Sequence, residues 1–278
     1  MYYLLIRATV AMLQWCRRAL FALVPLLLMP TAMLRLQLAL ARNHARFWAQ
    51  SDGSADEYLD MEEERMLRKH LGDVQSNRNE RRVLDLFCGG GREARLLAGQ
   101  GWQVHAVDAM ESIINSNLRT RAPDGALKEI EYSQGKLPFA LEKMQTMYAA
   151  IVICHGMYST IPGRELRGNL LEELVRLTSD GGRILVSALL RPPGNPQSYF
   201  RRRRWARLLW GNRKLEQGDV FVGEFLHFFP DQEALLNELQ HKRLRCVASG
   251  TQRLGGADQR CYVMLEKCAA DESSDTRT

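Results

Sequence analysis

Three consecutive glycines and two acids near them are the residues of this chain most suited to chemistry. Residues 89–91 are all glycine, and they join an apolar run that begins at Val83 to a helix-like segment. An apolar strand, a glycine turn and a helix allow a backbone to approach a nucleotide closely, because glycine has no Cβ. Asp85 lies within the apolar run and Asp108 ends the next one. The pattern predicts a nucleotide-type binding site.

The positions of the two acids indicate which ligand fits this turn. Gly89, Gly91 and Ala94 also match a dinucleotide pattern, in which an acid near Asp108 would bind ribose hydroxyls. Asp85, however, would oppose a pyrophosphate at the helix N-terminus. A ligand with a ribose at one end and a cationic amino acid at the other suits both acids. We therefore predict S-adenosylmethionine as the cofactor, with an NAD-linked oxidoreductase as an alternative.

The run Val83-Leu-Asp-Leu-Phe-Cys-Gly-Gly-Gly resembles motif I of the class I S-adenosylmethionine-dependent methyltransferases. The resemblance covers about Arg82 to Lys267, and strand-like segments follow in that family's order at 103–107, 128–132, 148–154, 183–189, 245–249 and 261–266. It implies an α/β fold with a Rossmann-like, seven-stranded, mostly parallel sheet and helices on both faces. An apolar helical extension precedes this domain.

The resemblance also implies which residues form the cofactor site. These are Asp85, Phe87, Gly89, Gly90, Gly91, Asp108, Ala109, Met110, Gln134, Gly135 and Cys154. Lys136 departs from the family pattern, in which an acid often binds the adenine amino group, so Gln134 or a backbone group must accept there. The fourth strand ends in His155-Gly-Met-Tyr without an Asn-Pro-Pro-Tyr or Asp-Pro-Pro-Tyr motif, which argues against methylation of exocyclic base amines.

The acceptor is expected beyond the carboxyl ends of strands four and five, where open α/β sheets bind ligands. His155 is the first candidate for a general base because it lies near the methyl donor in the family layout. His227 and Tyr158 are the alternates. A basic and aromatic insertion at about 191–230, including five arginines within 201–207, would cover the acceptor. Such a composition fits a membrane interface, a nucleic acid or an acidic amphiphile.

Composition sets broader limits. The chain has 278 residues, a formal net charge of +6 and 46% hydrophobic residues, enough for one large domain with appendages. The six cysteines lack metal-ligand spacing, so we predict neither a metal site nor disulfides, as in a cytoplasmic protein. The oligomeric state is left open.

The first forty residues are more apolar than a methyltransferase core requires. An uncharged run from Ala19 to Leu34 is flanked by arginines and is expected to be interrupted by Pro25 and Pro30. It is shorter than a simple membrane span. Three interpretations compete: a secretory signal, an in-plane or re-entrant membrane anchor, and a helical cap over the active site. A helix from about Leu34 to Trp48 would join any of them to the domain.

These observations predict four regions. Residues 1–48 form the apolar extension, 49–82 a helix and linker, 83–267 the catalytic domain, and 268–278 a disordered tail. The helix, at about Glu57 to Leu71, carries a run of charges expected to be mostly solvated. The leading hypothesis is a methyltransferase for a small-molecule or lipid-like acceptor, held at the inner membrane surface by residues 1–40. The alternatives are a nucleic-acid methyltransferase, an NAD-linked oxidoreductase and a binding protein without turnover.

Overall fold

The computed structural model describes residues 2–50, 61–72, 81–119, 129–191, 197–253 and 259–269. The strands in these ranges are β1 (Arg82–Leu86), β2 (Gln103–Asp108), β3 (Ile130–Gln134), β4 (Tyr148–Ile153), β5 (Thr178–Leu190), β6 (Asp219–Phe221), β7 (Phe225–His227), β8 (Leu244–Arg253) and β9 (Gln259–Lys267). The helices are α1 (Tyr2–Leu27), α2 (Pro30–Gln50), α3 (Met61–Gly72), α4 (Arg92–Gly99), α5 (Glu111–Arg119), α6 (Arg164–Leu177), α7 (Gln197–Leu208) and α8 (Gln232–Glu238).

Seven of the strands form one sheet in the order β3-β2-β1-β4-β5-β9-β8. The five strands from β3 to β5 are parallel, whereas β9 is antiparallel to both of its neighbours. Every residue of β4 is buried, as expected for a central parallel strand covered on both faces. Separate apolar cores lie on the two faces. The predicted Rossmann-like, mostly parallel sheet with an apolar helical extension is confirmed.

The two amino-terminal helices differ from the prediction at both prolines. Pro25 lies inside α1, which continues to Leu27, so it does not interrupt the helix. Asn212 binds the end of this helix: its side chain donates to the Pro25 carbonyl at 3.1 Å and its backbone N–H to the Leu26 carbonyl at 2.6 Å. Pro30 begins α2, the first helical position that proline favours, so this helix starts earlier than the predicted Leu34.

Helix α2 packs on the catalytic domain. Leu34 is buried in the core on one face of the sheet, and Met33 is buried against Phe221 and Phe225 of the β6–β7 hairpin. Along its length α2 contacts α5, which follows β2, and also β7. It therefore crosses the carboxyl edge of the sheet, as a helical cap would.

The prediction that the charge run of α3 is solvated was wrong for one residue. Glu63 is 1% exposed, because its carboxylate turns inward above the sheet beside buried Met66 and Leu67. Its neighbours Glu62 and Glu64 form exposed pairs with arginines of the same helix. The predicted helix start at Glu57, the linker over 73–80 and the tail beyond residue 269 lie outside the described residues.

Helix α7 and the β6–β7 hairpin occupy the predicted insertion, between β5 and α8. Arg167 of α6, whose side chain is fully buried, ties this region to the domain. Its guanidinium donates to Glu216 in the insertion at 2.8 Å and to Glu238 of α8 at 2.6 Å. The insertion also contacts the sheet directly, since the Phe229 N–H donates to the Leu189 carbonyl at 2.9 Å.

Candidate functional site

The glycine turn between β1 and α4 is fixed from three directions. The Cys88 N–H donates to the Val107 carbonyl of β2 at 3.1 Å. The Asn117 side chain donates to the Gly89 carbonyl, and Arg95 donates to the Gly90 carbonyl, each at 2.8 Å. Since its carbonyls are already bound by protein donors, the turn is preorganised at the sheet edge.

Residues in left-handed backbone conformations line this edge. Gly91 has φ 73°, and a Cβ there would lie 2.5 Å from the Tyr132 hydroxyl, so only glycine fits. Phe87 and His155 adopt the same region, at φ 62° and 58°, although neither is glycine. They follow β1 and β4, which are adjacent strands. Strained residues concentrate at functional sites, and these two lie at the carboxyl ends of neighbouring strands.

Asp108 lies at the end of β2, beside the glycine turn. One carboxylate oxygen accepts from the Gly89 N–H at 3.1 Å and the other from the Met110 N–H at 2.9 Å. Burial raises the pKa of Asp108, and these backbone bonds oppose that rise. The carboxylate is held rigidly beside the glycine turn, in a position that suits a ligand diol.

The other residues predicted to bind the cofactor gather along the same edge. The Gly135 N–H donates to the Asp108 carbonyl at 2.8 Å, which joins the end of β3 to the end of β2. The exposed Gln134 side chain donates to the Ala109 carbonyl at 3.1 Å. Cys154, at the end of β4, is buried, and this burial raises the pKa of its thiol well above the ordinary value. The structure thus brings the predicted set together along β1 to β4.

Asp85 lies within β1, just before the glycine turn. It is 1% exposed, and its Oδ2 has no hydrogen-bond partner among the described residues. Burial raises its pKa well above the ordinary value, and the nearby acids Glu93, Asp108 and Glu63 add to the rise. A buried carboxylate with an unpartnered oxygen and three acids nearby favours a cation, a need that Arg92 meets only in part. The residues present therefore fit the cationic amino-acid end of S-adenosylmethionine.

Replacing Asp85 with asparagine is expected to stabilise the ligand-free protein at alkaline pH. An acid whose pKa is raised by folding favours the folded state at low pH, and that contribution is lost as pH rises through the raised pKa. Asparagine does not ionise, so the variant escapes this loss. We expect melting temperatures to differ little near pH 4 and the variant to melt about 2–4 °C higher near pH 8. A difference that does not change with pH would contradict this account, and the exposed Glu129→Gln is the control.

A buried charge network that the sequence interpretation missed lies beside Asp85. Arg92 of α4 binds Glu93 at 2.9 Å through Nε and reaches Glu63 of α3 at 3.5 Å. Burial raises the pKa of Glu63, whereas for Glu93 the bonds to His155 and Arg92 outweigh burial and lower its pKa to about 2. Glu93 could have been suspected from its place just after the glycines. Glu63 carries no such signal.

His155 belongs to this network. Its Nε2 lies 3.1 Å from Glu93 and its Nδ1 lies 3.3 Å from Arg260, while its backbone N–H donates to Glu63 at 2.7 Å. Both ring nitrogens are thus engaged. Proton transfer by His155 would require one of these contacts to open.

Tyr158 and His227 lie away from the glycine turn, under the insertion. Tyr158 is fully buried and its hydroxyl donates to Glu238 at 3.2 Å. His227 Nδ1 lies 2.8 Å from Asp219 and its ring packs edge-on against Phe229, which stacks on Tyr158. The His227–Asp219 pair resembles an oriented base, since a carboxylate binds one ring nitrogen, but the His227 side chain is only 4% exposed.

Two groups of three potential metal ligands occur among the described residues: Glu63, Glu93 and Cys154, and Glu216, Asp219 and His227. In the first group both carboxylates bind Arg92. In the second, Glu216 binds Arg167 and Asp219 binds His227. The carboxylates of both groups are therefore engaged by arginine or histidine side chains.

Comparison with known proteins gives a consistent result. A family described as "Methyltransferase domain" matches residues 35–248. A demethylmenaquinone methyltransferase of Clavibacter sepedonicus is 30% identical over 112 residues, which is 40% of this chain and 42% of that protein. A probable cobalt-precorrin-6B C(15)-methyltransferase of Saccharolobus solfataricus is 28% identical over 138 residues, covering 49% and 65%. The chain thus spans about half the length of these relatives.

Solved structures share the fold at low identity. The N-methyltransferase NodS from Bradyrhizobium japonicum, in complex with S-adenosyl-L-homocysteine, gives a TM-score of 0.54 at 14% identity and covers 81% of this chain and 97% of NodS. The 1,6-didemethyltoxoflavin-N1-methyltransferase of Burkholderia thailandensis gives 0.55 at 16% identity, covering 83% and 88%.

Proposed function

This chain belongs to the methyltransferase domain family, and from that premise we propose that it is an S-adenosylmethionine-dependent methyltransferase acting on a small, lipid-like acceptor at a membrane surface. The family match favours methyl transfer over the NAD-linked alternative. The relatives are named as enzymes of small molecules, which supports an acceptor of that size.

The proposed roles in cofactor binding follow from the contacts at the sheet edge. Asp108 accepts from the ribose hydroxyls, and Asp85 neutralises the cationic amino-acid end behind the glycine turn. Gln134, at the end of β3, accepts a hydrogen bond from the adenine amino group. The cofactor supplies a methyl group on a sulfonium, so the protein mainly orients the acceptor and excludes water.

The main observation in favour of a membrane location is the exposure of α1. Every described side chain of α1 up to Arg18 is exposed, and Leu13 and Trp15 are 61% and 70% exposed. The second half does pack, with Phe21 edge-on to Phe221 of the hairpin at 5.3 Å. An apolar helix exposed over several turns is a membrane or partner site.

The placement of charge supports an in-plane helix over a spanning one. The segment Thr9–Leu27 is long and apolar enough to cross a membrane. Arg17 and Arg18 lie at its middle, where each charge would cost roughly 2.5–3.5 kcal/mol in the bilayer centre. In the interfacial plane, the arginines reach the headgroups while the apolar side chains enter the lipid. Since the rest of α1 packs on the insertion, the acceptor side of the domain would face the bilayer.

His227 is the base that the geometry supports best for an acceptor that must lose a proton. Asp219 orients it, and its packing against Phe229 holds it next to the carboxyl end of β5. His155, with both nitrogens engaged, and Tyr158, whose hydroxyl is bound to Glu238, stay as alternatives.

The test is to incubate the full chain with methyl-labelled S-adenosylmethionine and membrane vesicles, then to separate lipids, water-soluble small molecules and RNA. Label in the lipid fraction is expected, and it should disappear with Asp108→Ala. The His227→Asn variant should transfer label about 100-fold more slowly or worse while binding S-adenosylhomocysteine normally. Label confined to water-soluble molecules would refute the lipid-like acceptor, and label in RNA would favour the nucleic-acid alternative.

A further inference from the structure

Helix α7 carries a dense set of arginines on the outside of the insertion. Four of them are exposed, and within the described residues none of the four forms an ion pair: Arg201, Arg203, Arg204 and Arg207. Arg202 differs, since it donates to the Asp219 carbonyl at 2.9 Å. A cluster of cations without acidic partners repels itself, and an anionic partner would relieve that repulsion.

Large apolar side chains are interleaved with these arginines. Phe200, Trp205, Leu208 and Trp210 are all more than half exposed, and Trp210 reaches 83%. Tryptophan and arginine together are typical of the headgroup level of a bilayer, where an aromatic ring sits near the acyl boundary and a guanidinium meets phosphate. A soluble surface that met only water would not favour four such side chains on one short segment.

The α7 surface is joined firmly to α1. Leu26 packs with Ala206 and Leu215, and Asn212 bonds to the last carbonyls of α1. Gly211 makes this approach feasible, because a Cβ there would lie 2.1 Å from the Leu26 carbonyl oxygen. The carboxyl end of α1 is therefore in direct contact with α7 and the segment that follows it.

The charge of the chain is concentrated in these two regions. Residues 1–51 and 191–215 contain 14 of the 38 lysines and arginines and none of the 32 acids. The remainder holds 24 basic and 32 acidic residues and is net negative. Such a charge asymmetry orients a protein at a negatively charged surface, with its basic regions facing that surface.

We propose that α7 is a second membrane contact, which recognises anionic phospholipid headgroups through Arg201, Arg203, Arg204 and Arg207. This deepens the proposed function, since α1 supplies apolar insertion and α7 supplies the preference for negative charge. Nucleic acid also carries phosphates, but continuity with the apolar face of α1 favours lipid.

The experiment is vesicle flotation of the full chain with phosphatidylcholine alone and with an equal mixture of phosphatidylcholine and phosphatidylglycerol. The wild type should bind the mixed vesicles about 100-fold more tightly, and high salt should remove most of this difference. The difference should also vanish in the test variant, which carries Arg201→Gln, Arg203→Gln, Arg204→Gln and Arg207→Gln.

A matched control removes the same charge from the opposite, amino-terminal edge of the sheet. It carries Arg82→Gln, Lys143→Gln, Lys242→Gln and Arg245→Gln. This variant should keep the preference for phosphatidylglycerol. Equal loss in the two quadruple variants would show that only net charge matters and would overturn the proposal, as would a test variant that behaves like the wild type.

A variant of α1 separates this proposal from the proposed function. Leu13→Gln with Trp15→Gln should weaken binding to both vesicle types by a similar factor and leave the preference for phosphatidylglycerol intact. If α1 does not insert, this variant binds like the wild type while the α7 variant still loses its preference. Wild-type protein that prefers an RNA oligonucleotide to the mixed vesicles would overturn the lipid assignment of α7.

Discussion

Replacing Asp108 with alanine is expected to weaken binding of S-adenosyl-L-homocysteine at least about 100-fold. A hydrogen bond to a charged group contributes roughly 1.5–3 kcal/mol, and two bonds to ribose hydroxyls exceed the 2.7 kcal/mol of a 100-fold change. The carboxylate also binds the Gly89 and Met110 N–H groups, so its removal loosens the glycine turn. Calorimetric titration of the purified full chain measures this effect.

Asp108→Asn is the matched variant, because it keeps the size of the side chain and one acceptor oxygen. It should bind S-adenosyl-L-homocysteine with an affinity between those of the wild type and Asp108→Ala. A parallel titration with NADH should show no binding. Unchanged affinity in Asp108→Ala would remove Asp108 from the site, and binding of NADH alone would overturn the cofactor assignment.

Replacing Arg167 with methionine is expected to destabilise the protein by about 3–5 kcal/mol, the usual effect of removing one partner from a buried ion pair. The guanidinium is fully buried and holds Glu216 and Glu238, and its positive charge lies 5.5 Å from the Phe229 ring. Without it, Glu238 is left nearly buried beside Tyr158. Urea unfolding, followed by circular dichroism, measures the change in the free energy of unfolding.

The double variant Arg167→Met with Glu238→Gln tests the cause. It should recover part of the lost stability, because the carboxylate left without a partner is no longer charged. Arg65→Met, which breaks the exposed pair with Glu62, should cost less than about 1 kcal/mol. If Arg167→Met were as mild as Arg65→Met, the buried network would not be what attaches the insertion to the domain.

Much of the sheet could be predicted from the sequence because its central strands are buried on both faces. Such strands appear as continuous apolar runs, and β4 at Tyr148–Ile153 lies within the predicted 148–154. The glycine turn and Asp108 could be placed for the same reason, since they come directly after such runs. At these positions the local sequence alone is enough to indicate the structure.

The sequence could not predict features that depend on contacts between distant segments. Glu63 lies in a run of charges typical of a solvated helix, and only the packing of α3 on the sheet turns its side chain toward His155, 92 residues away. Pro25 would ordinarily end a helix, yet α1 continues to Leu27 and Asn212 binds its last carbonyls. Nothing in the sequence indicates that Asp219 binds His227 across the β6–β7 hairpin.

The bond between Asn212 and the end of α1 has a thermodynamic consequence. It links the helix proposed to enter the membrane with the insertion proposed to cover the acceptor. If lipid contact shifts this unit toward a state that holds the acceptor better, linkage requires the acceptor to strengthen attachment to the bilayer by the same factor. Residence on the membrane would then depend on substrate supply, and release of the methylated product would loosen the enzyme's hold on the lipid.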